Sequence, residues 1–153
     1  MPQSTLTRLA ALMIVSGMAL FAADPVIGTW VLDVKKSVFQ PGPSPRSQTR
    51  VYRESADGIT ATVVTVSVGG KATTVEYPVD YDGQAHPVSG SPDIDGIKMT
   101  KMSNGRSEST LMHAGKVLAK AVREVSGGTL TITYEGTAPD GGAIKNISRY
   151  DRQ

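Results

Sequence analysis

Seven dipeptides punctuate the sequence from residue 57 onward: Asp57-Gly58, Gly69-Gly70, Asp82-Gly83, Asn104-Gly105, Ala114-Gly115, Gly127-Gly128 and Asp140-Gly141. Each ends in glycine, which reaches the positive φ that tight hairpins demand without a steric penalty. Most are about ten to thirteen residues apart, the length of one strand plus its turn. A chain divided in this way is committed to a meander of antiparallel strands.

Between the turns the side-chain period is two. In VEYPVDY the residues Val75, Tyr77, Val79 and Tyr81 share one face, and Glu76, Pro78 and Asp80 the other. In TLTITYE the residues Leu130, Ile132 and Tyr134 oppose Thr129, Thr131, Thr133 and Glu135. Near the start, Trp30, Leu32 and Val34 oppose Thr29, Val31, Asp33 and Lys35. The pattern predicts strands near residues 27–35, 48–55, 58–68, 71–81, 94–103, 106–113, 116–125, 128–136 and 142–151, with no convincing helical stripe. A flat sheet of that many strands would present long unpaired edges. The predicted fold class is therefore all-β: a single up-and-down antiparallel barrel of about 8–10 strands, each burying one face inside. A two-sheet sandwich competes, but it usually needs longer crossing connections. Only two connections are long, SVFQPGPSPRSQ and GQAHPVSGSPDID, and both are rich in Pro and Gly.

The first two dozen residues differ from the rest. Arg8 supplies a positive charge, LAALMIVSGMALFA is an apolar run, and Ala22-Ala23 precede Asp24-Pro25. This is the order of a secretory signal peptide, expected over residues 1–23 with cleavage after Ala22 or Ala23 and one domain over 24–153. The run is shorter than the roughly twenty residues that span a bilayer, so no permanent membrane span is expected after cleavage. There is no cysteine. That excludes disulfides, a thiol nucleophile, cysteine-based metal sites and the cysteine of an acylated lipoprotein, leaving a free periplasmic or secreted protein as the expectation. The net charge is +2, with both signs mixed along the chain, which argues against a nucleic-acid groove.

The triplet Gly28-Thr29-Trp30 opens the first strand, it holds the only tryptophan, and arginines stand near the last strand. In these respects the chain resembles the calycin superfamily, which includes lipocalins and fatty-acid-binding proteins. It is also similar to a group of secreted bacterial proteins of unassigned function that combine GTW with KSxFxPGP and DGxxxPVxGxP loops. The resemblance implies a lipocalin-like barrel in which Trp30 plugs the closed end behind Gly28, under Arg149 or Arg152. Fatty-acid-binding proteins insert two lid helices after the first strand, which the proline-rich loop here cannot form. They also hold a carboxylate with an Arg-x-Tyr pair on the last strand, whereas Arg149 and Tyr150 are adjacent and face opposite ways.

The leading expectation is a small-molecule binding protein, taking an apolar or amphipathic ligand inside the barrel. Phe39, Tyr52, Val75, Tyr77, Tyr81, Leu130, Ile132 and Tyr134 are the candidate lining residues. No cofactor and no nucleic-acid partner are expected. The alternative is a non-catalytic cell-envelope module whose contact surface is the proline-rich loop, with Pro41, Pro43 and Pro45 in an extended polyproline-like run and Arg46 as an anion contact, together with the Asp-rich loop. Catalysis is the weaker reading. It would need His86 to engage Ser89 or an Asp in a concave site. Calcium binding by Asp80, Asp82, Asp93 and Asp95 lacks the spacing of an EF-hand loop, and His113 reads as a solvated histidine.

Overall fold

The computed structural model describes residues 22–153; the expected signal peptide lies, through residue 21, outside the described residues. The strands are β1 (Gly28–Leu32), β2 (Val38–Gln40), β3 (Ser47–Ser55), β4 (Gly58–Val66), β5 (Ala72–Val79), β6 (Asp82–Pro87), β7 (Gly96–Ser103), β8 (Arg106–His113), β9 (Lys116–Ser126), β10 (Thr129–Thr137) and β11 (Ala143–Arg152). All of them join one antiparallel sheet in the order β5-β4-β3-β1-β11-β10-β9-β8-β7-β6, with β2 also paired to β11. Every neighbour in that path except β1 and β3 is either consecutive in the chain or the β1–β11 pair. The protein is thus an all-β, nearly closed antiparallel barrel. Among the described residues no helix is long and apolar enough to cross a membrane.

The two ends of the path are β5 and β6. They follow each other in the chain, yet they meet through a single bridge, between Glu76 in β5 and Ser89 just beyond β6. Glu76 N donates to Ser89 O at 3.0 Å and Ser89 N donates to Glu76 O at 2.9 Å. The wall is therefore weakest between β5 and β6.

Nine of the strands lie where the alternation predicts them. The two additional ones, β2 and β6, fall inside the segments read as long loops. The first predicted strand stops at Leu32 because Asp33 caps a single 3-10 turn, Val34–Lys36, its Oδ1 accepting from Lys35 N (3.0 Å) and Lys36 N (3.2 Å). After that turn β2 rejoins β11, with Val38 opposite Ile147 and Gln40 opposite Lys145. The expected extended polyproline-like run is not formed. Gly42, between Pro41 and Pro43, takes φ +86°, which reverses the chain where a polyproline helix needs a negative φ. In β6, Asp82-Gly83 opens a bulged strand, with a register shift between Asp82 and Ala85 against β7.

The core gathers the inward faces: Trp30, Leu32, Tyr52, Ala61, Val79, Ile97, Met99, Leu130, Ile132 and Tyr150, with Val26 beneath them. Trp30 is 0% exposed. Its Nε1 donates to Val26 O at 2.7 Å, which satisfies the one polar atom that burying an indole would strand. Arg152, its register partner on β11, lies over the ring at 4.2 Å from the centroid and donates to Ile27 O (2.8 Å) and Pro25 O (2.6 Å). Arg149 is not at the plug. It sits one position off that face, donating from Nη1 to Lys36 O at 2.9 Å. Gly28 has φ +138°, and a Cβ there would stand 2.7 Å from Arg152 Nη1. The glycine of the triplet thus leaves room for the arginine that covers the tryptophan.

Candidate binding site

Above the Trp30 floor the inward faces of β3, β4 and β5 on one wall, and β7 to β10 on the other, do not fill the interior. They enclose a cavity of about 220 Å³. The segment between β6 and β7 folds over its side. Val88 N donates to Asp95 O at 3.0 Å, and Val88, Ser91 and Ile94 contribute lining. The apolar lining is Val63, Val75, Ile97, Met99, Leu111, Ala121 and Ile132 in addition to Val88 and Ile94. Of the residues expected to line the barrel, Tyr52, Val75, Tyr77, Ile132 and Tyr134 do so.

Three do not. Leu130, 0% exposed, is part of the solid core next to Tyr150, its register partner. Tyr81 is turned toward the chain's start, its hydroxyl donating to Asp24 Oδ2 at 2.7 Å. Phe39 packs at the periphery and borders a separate surface groove with Gln40, Pro41, Pro43, Ala138, Ile144 and Asn146. The reason is β2: its pairing with β11 sets Phe39 opposite Asn146, on the inward parity of that strand but packed against the core and the groove instead of the cavity.

The cavity has a polar end that sequence reasoning missed. Arg50 and Arg123 both line it, together with Gln48, Tyr52 and Tyr77. Arg50 Nε donates to Tyr150 Oη at 3.0 Å and its Nη1 to Tyr77 Oη at 3.3 Å. Tyr150 in turn donates to Gln48 Oε1, and Gln48 Nε2 donates to Thr65 Oγ1 at 2.8 Å. Arg123, 8% exposed, donates from Nη2 to Tyr81 Oη. Its guanidinium lies 5.2 Å from the Tyr52 ring centroid and 5.8 Å from that of Tyr81. Arg50 lies 5.3 Å from the Tyr150 centroid. Arg50 is also the register partner of Trp30, so the basic end of the cavity is the end that Trp30 closes.

Neither arginine forms a salt bridge among the described residues, and residues 1–21 contain no Asp or Glu. Asp24 is linked to Arg123 only through the Tyr81 hydroxyl, which accepts from the arginine and donates to the carboxylate. Burying an unpaired guanidinium costs several kcal/mol, and here phenol faces and oxygens alone offset that cost. Burial opposes the charge on both arginines, but the surrounding tyrosines, Tyr150 foremost for Arg50 and Tyr52 for Arg123, outweigh it and hold both well protonated.

The phenols respond in opposite directions. Burial opposes ionisation of Tyr52, yet the charges of Arg50 and Arg123 overcome it and bring its pKa below the usual phenol value. Tyr77 is raised, by burial first and by Tyr52 next; the two titrate as a coupled pair whose first proton leaves early and whose second leaves late. Tyr81 is raised by burial and by its bond to Asp24. A raised phenol contributes stability that is complete below its unfolded pKa, about 10, and is lost as pH rises through the folded value. In an alkaline absorbance titration one phenolate is therefore expected to form early, while Tyr77 and Tyr81 resist until the barrel loosens. Urea stability is expected to hold up to about pH 10, where the early ionisation of Tyr52 favours the folded state, and to fall above it as Tyr77 and Tyr81 are forced to ionise. Five phenols ionising together at the ordinary value would contradict this assignment.

In the His86 region the histidine engages an Asp but not Ser89. His86 Nε2 lies 3.0 Å from both Asp82 oxygens and 3.7 Å from Asp80. Ser89 is turned away, its hydroxyl directed at Glu76 O at 3.4 Å, so no His86–Ser89 pair is formed. Asp80, Asp82 and His86 are near enough to share a cation. The other two acids do not join them: Asp95 accepts from Ala114 N at 2.9 Å and faces His113, and Asp93 donates its N–H to Ser91 Oγ at 3.2 Å.

A signal for the two arginines was present in the alternation. Gln48, Arg50 and Tyr52 share a parity on β3, and Ala121, Arg123 and Val125 share one on β9. Placing Tyr52 inside places Arg50 there too. A scan against protein-family models, a search of curated proteins and a search of solved structures each found no match.

Proposed function

We propose that this protein is a non-catalytic, secreted or periplasmic binding protein of lipocalin-like form, which holds a small apolar or amphipathic molecule inside its barrel. One observation carries the reading: an interior left unfilled and lined mainly by apolar side chains from both walls. Protein interiors pack to crystal-like density, with few voids larger than a water molecule. A cavity of about 220 Å³ exceeds the ~150 Å³ that admits benzene. Burying apolar ligand surface there would drive binding at about 25 cal/mol per Å² before ordering costs. The envelope-module alternative calls for a solid core and would rely on the groove beside Phe39; the unfilled interior favours the carrier.

Native mass spectrometry of protein recovered from its own periplasm or medium tests this reading. The expected result is a chain beginning at Ala23 or Asp24 that carries an extra small mass, released on denaturation. Ala121→Phe, whose ring occupies the cavity, is expected to travel without that mass. A bare chain in both samples, with no uptake of an added apolar probe by the unsubstituted protein, would overturn the carrier reading. An unprocessed N-terminus would overturn export.

A further inference from the structure

The two interior arginines are more than the barrel needs for folding. Hydrophobic replacement of buried charges is commonly neutral or stabilising, so a structural role alone does not explain a pair of them on opposite walls. Their hydrogen bonds are also incomplete. Among the described residues Arg50 uses Nε and Nη1, and Arg123 uses only Nη2, although each guanidinium has five N–H donors. Between them stands the Tyr52 hydroxyl, in a side chain 1% exposed, close to Arg50, Arg123 and Tyr77 but in hydrogen-bonding geometry with none of them. A buried hydroxyl without a well-formed hydrogen bond is costly, and this one lines the same cavity. Two positive charges without a salt-bridge partner, spare N–H donors and a poorly satisfied hydroxyl converge on one end of a cavity whose remainder is mainly apolar.

We propose that the ligand is a compact amphipathic anion, its carboxylate or phosphate head held between Arg50 and Arg123 and its short apolar body lying toward Ile97, Leu111 and Ile94. The proposal rests on the carrier reading and assigns the chemical class of its ligand. The head enters first, because the basic end is the one closed by Trp30. Guanidinium forks match the oxygen spacing of carboxylate and phosphate, and Tyr52 supplies a further donor. The volume limits the body to an arene or a short alkyl chain. The site does not use the last strand's arginines, since Arg152 covers Trp30 and Arg149 faces Lys36.

Isothermal titration of the protein with octanoate, octyl phosphate and 1-octanol separates the charge from the chain. Either anion is expected to bind about tenfold or more tightly than octanol, and the tighter of the two identifies the head group. In Arg50→Met and Arg123→Met, each checked for folding by circular dichroism, that preference is expected to fall about tenfold. Octanol binding as tightly as both anions to the unsubstituted protein would overturn the anion assignment while leaving the carrier intact, and needs no variant to fold. An unchanged preference in both folded variants would overturn it as well. Failure of all three probes to bind would remove the carrier reading with it.

Discussion

Trp30→Ala is expected to cost about 3–5 kcal/mol of folding stability, which for a domain of this size lowers Tm by roughly 10–20 °C. Trp30 is fully buried, and the loss has three parts. The largest apolar surface in the chain is removed, and a cavity opens under the floor of the barrel. Val26 O loses the Nε1 donor at 2.7 Å. Arg152 keeps its bonds to Ile27 and Pro25 but loses the ring it covers at 4.2 Å, and such a cation–π contact is worth about 1 kcal/mol. Thermal unfolding followed by circular dichroism measures the sum. A midpoint within a few degrees of the unsubstituted protein would show that the floor is held by something else.

Gly90→Ala is expected to disrupt the barrel at its weakest wall. Gly90 has φ +79°, and a Cβ there would lie 1.9 Å from Thr74 O. No rotamer relieves that clash, because the obstacle is backbone and alanine has no χ angle to turn. The left-handed conformation adds about 1–2 kcal/mol for a residue with a Cβ, and the displaced chain forfeits the reciprocal Glu76–Ser89 bonds, about 1 kcal/mol each. The expected total is about 3 kcal/mol, with the damage confined to the β5–β6 slot. Amide exchange reads this directly: Glu76 and Ser89 are expected to exchange much faster while β9–β11 stay protected. Unchanged protection at those two amides would mean that the slot is closed by other contacts.

The barrel was legible because a period of two and glycine-ended turns state strand and hairpin locally, residue by residue. What escaped were the strands whose composition speaks for turns. Asp82-Gly83, His86-Pro87 and the prolines after Phe39 are loop formers by propensity, yet β6 and β2 exist because β7 and β11 offer ladders to them. Tertiary pairing overrode local preference. The same cause moved Phe39 out of the candidate site, and neither Arg149 nor Arg152 could be preferred for the plug until the β1–β11 register set Trp30 opposite Arg152. Arg50 and Arg123 escaped for another reason. Charge on a strand is ordinarily read as the solvent face, and only the enclosure of that face shows a guanidinium to be inside.

The β1–β11 pairing also orders events in time. Most hairpins of this barrel join consecutive strands, so they can form as the chain emerges. The floor cannot: Arg152 reaches Ile27 across 125 positions of sequence. Until β11 has been made, Trp30 has no lid and the basic end of the cavity has no base. Non-local closure of this kind is slow, and an apolar indole left waiting is exposed to wrong partners. The tryptophan that is synthesised among the first residues of the barrel is thus among the last to be sealed, and whatever keeps the nascent chain from aggregating must protect it for the whole interval.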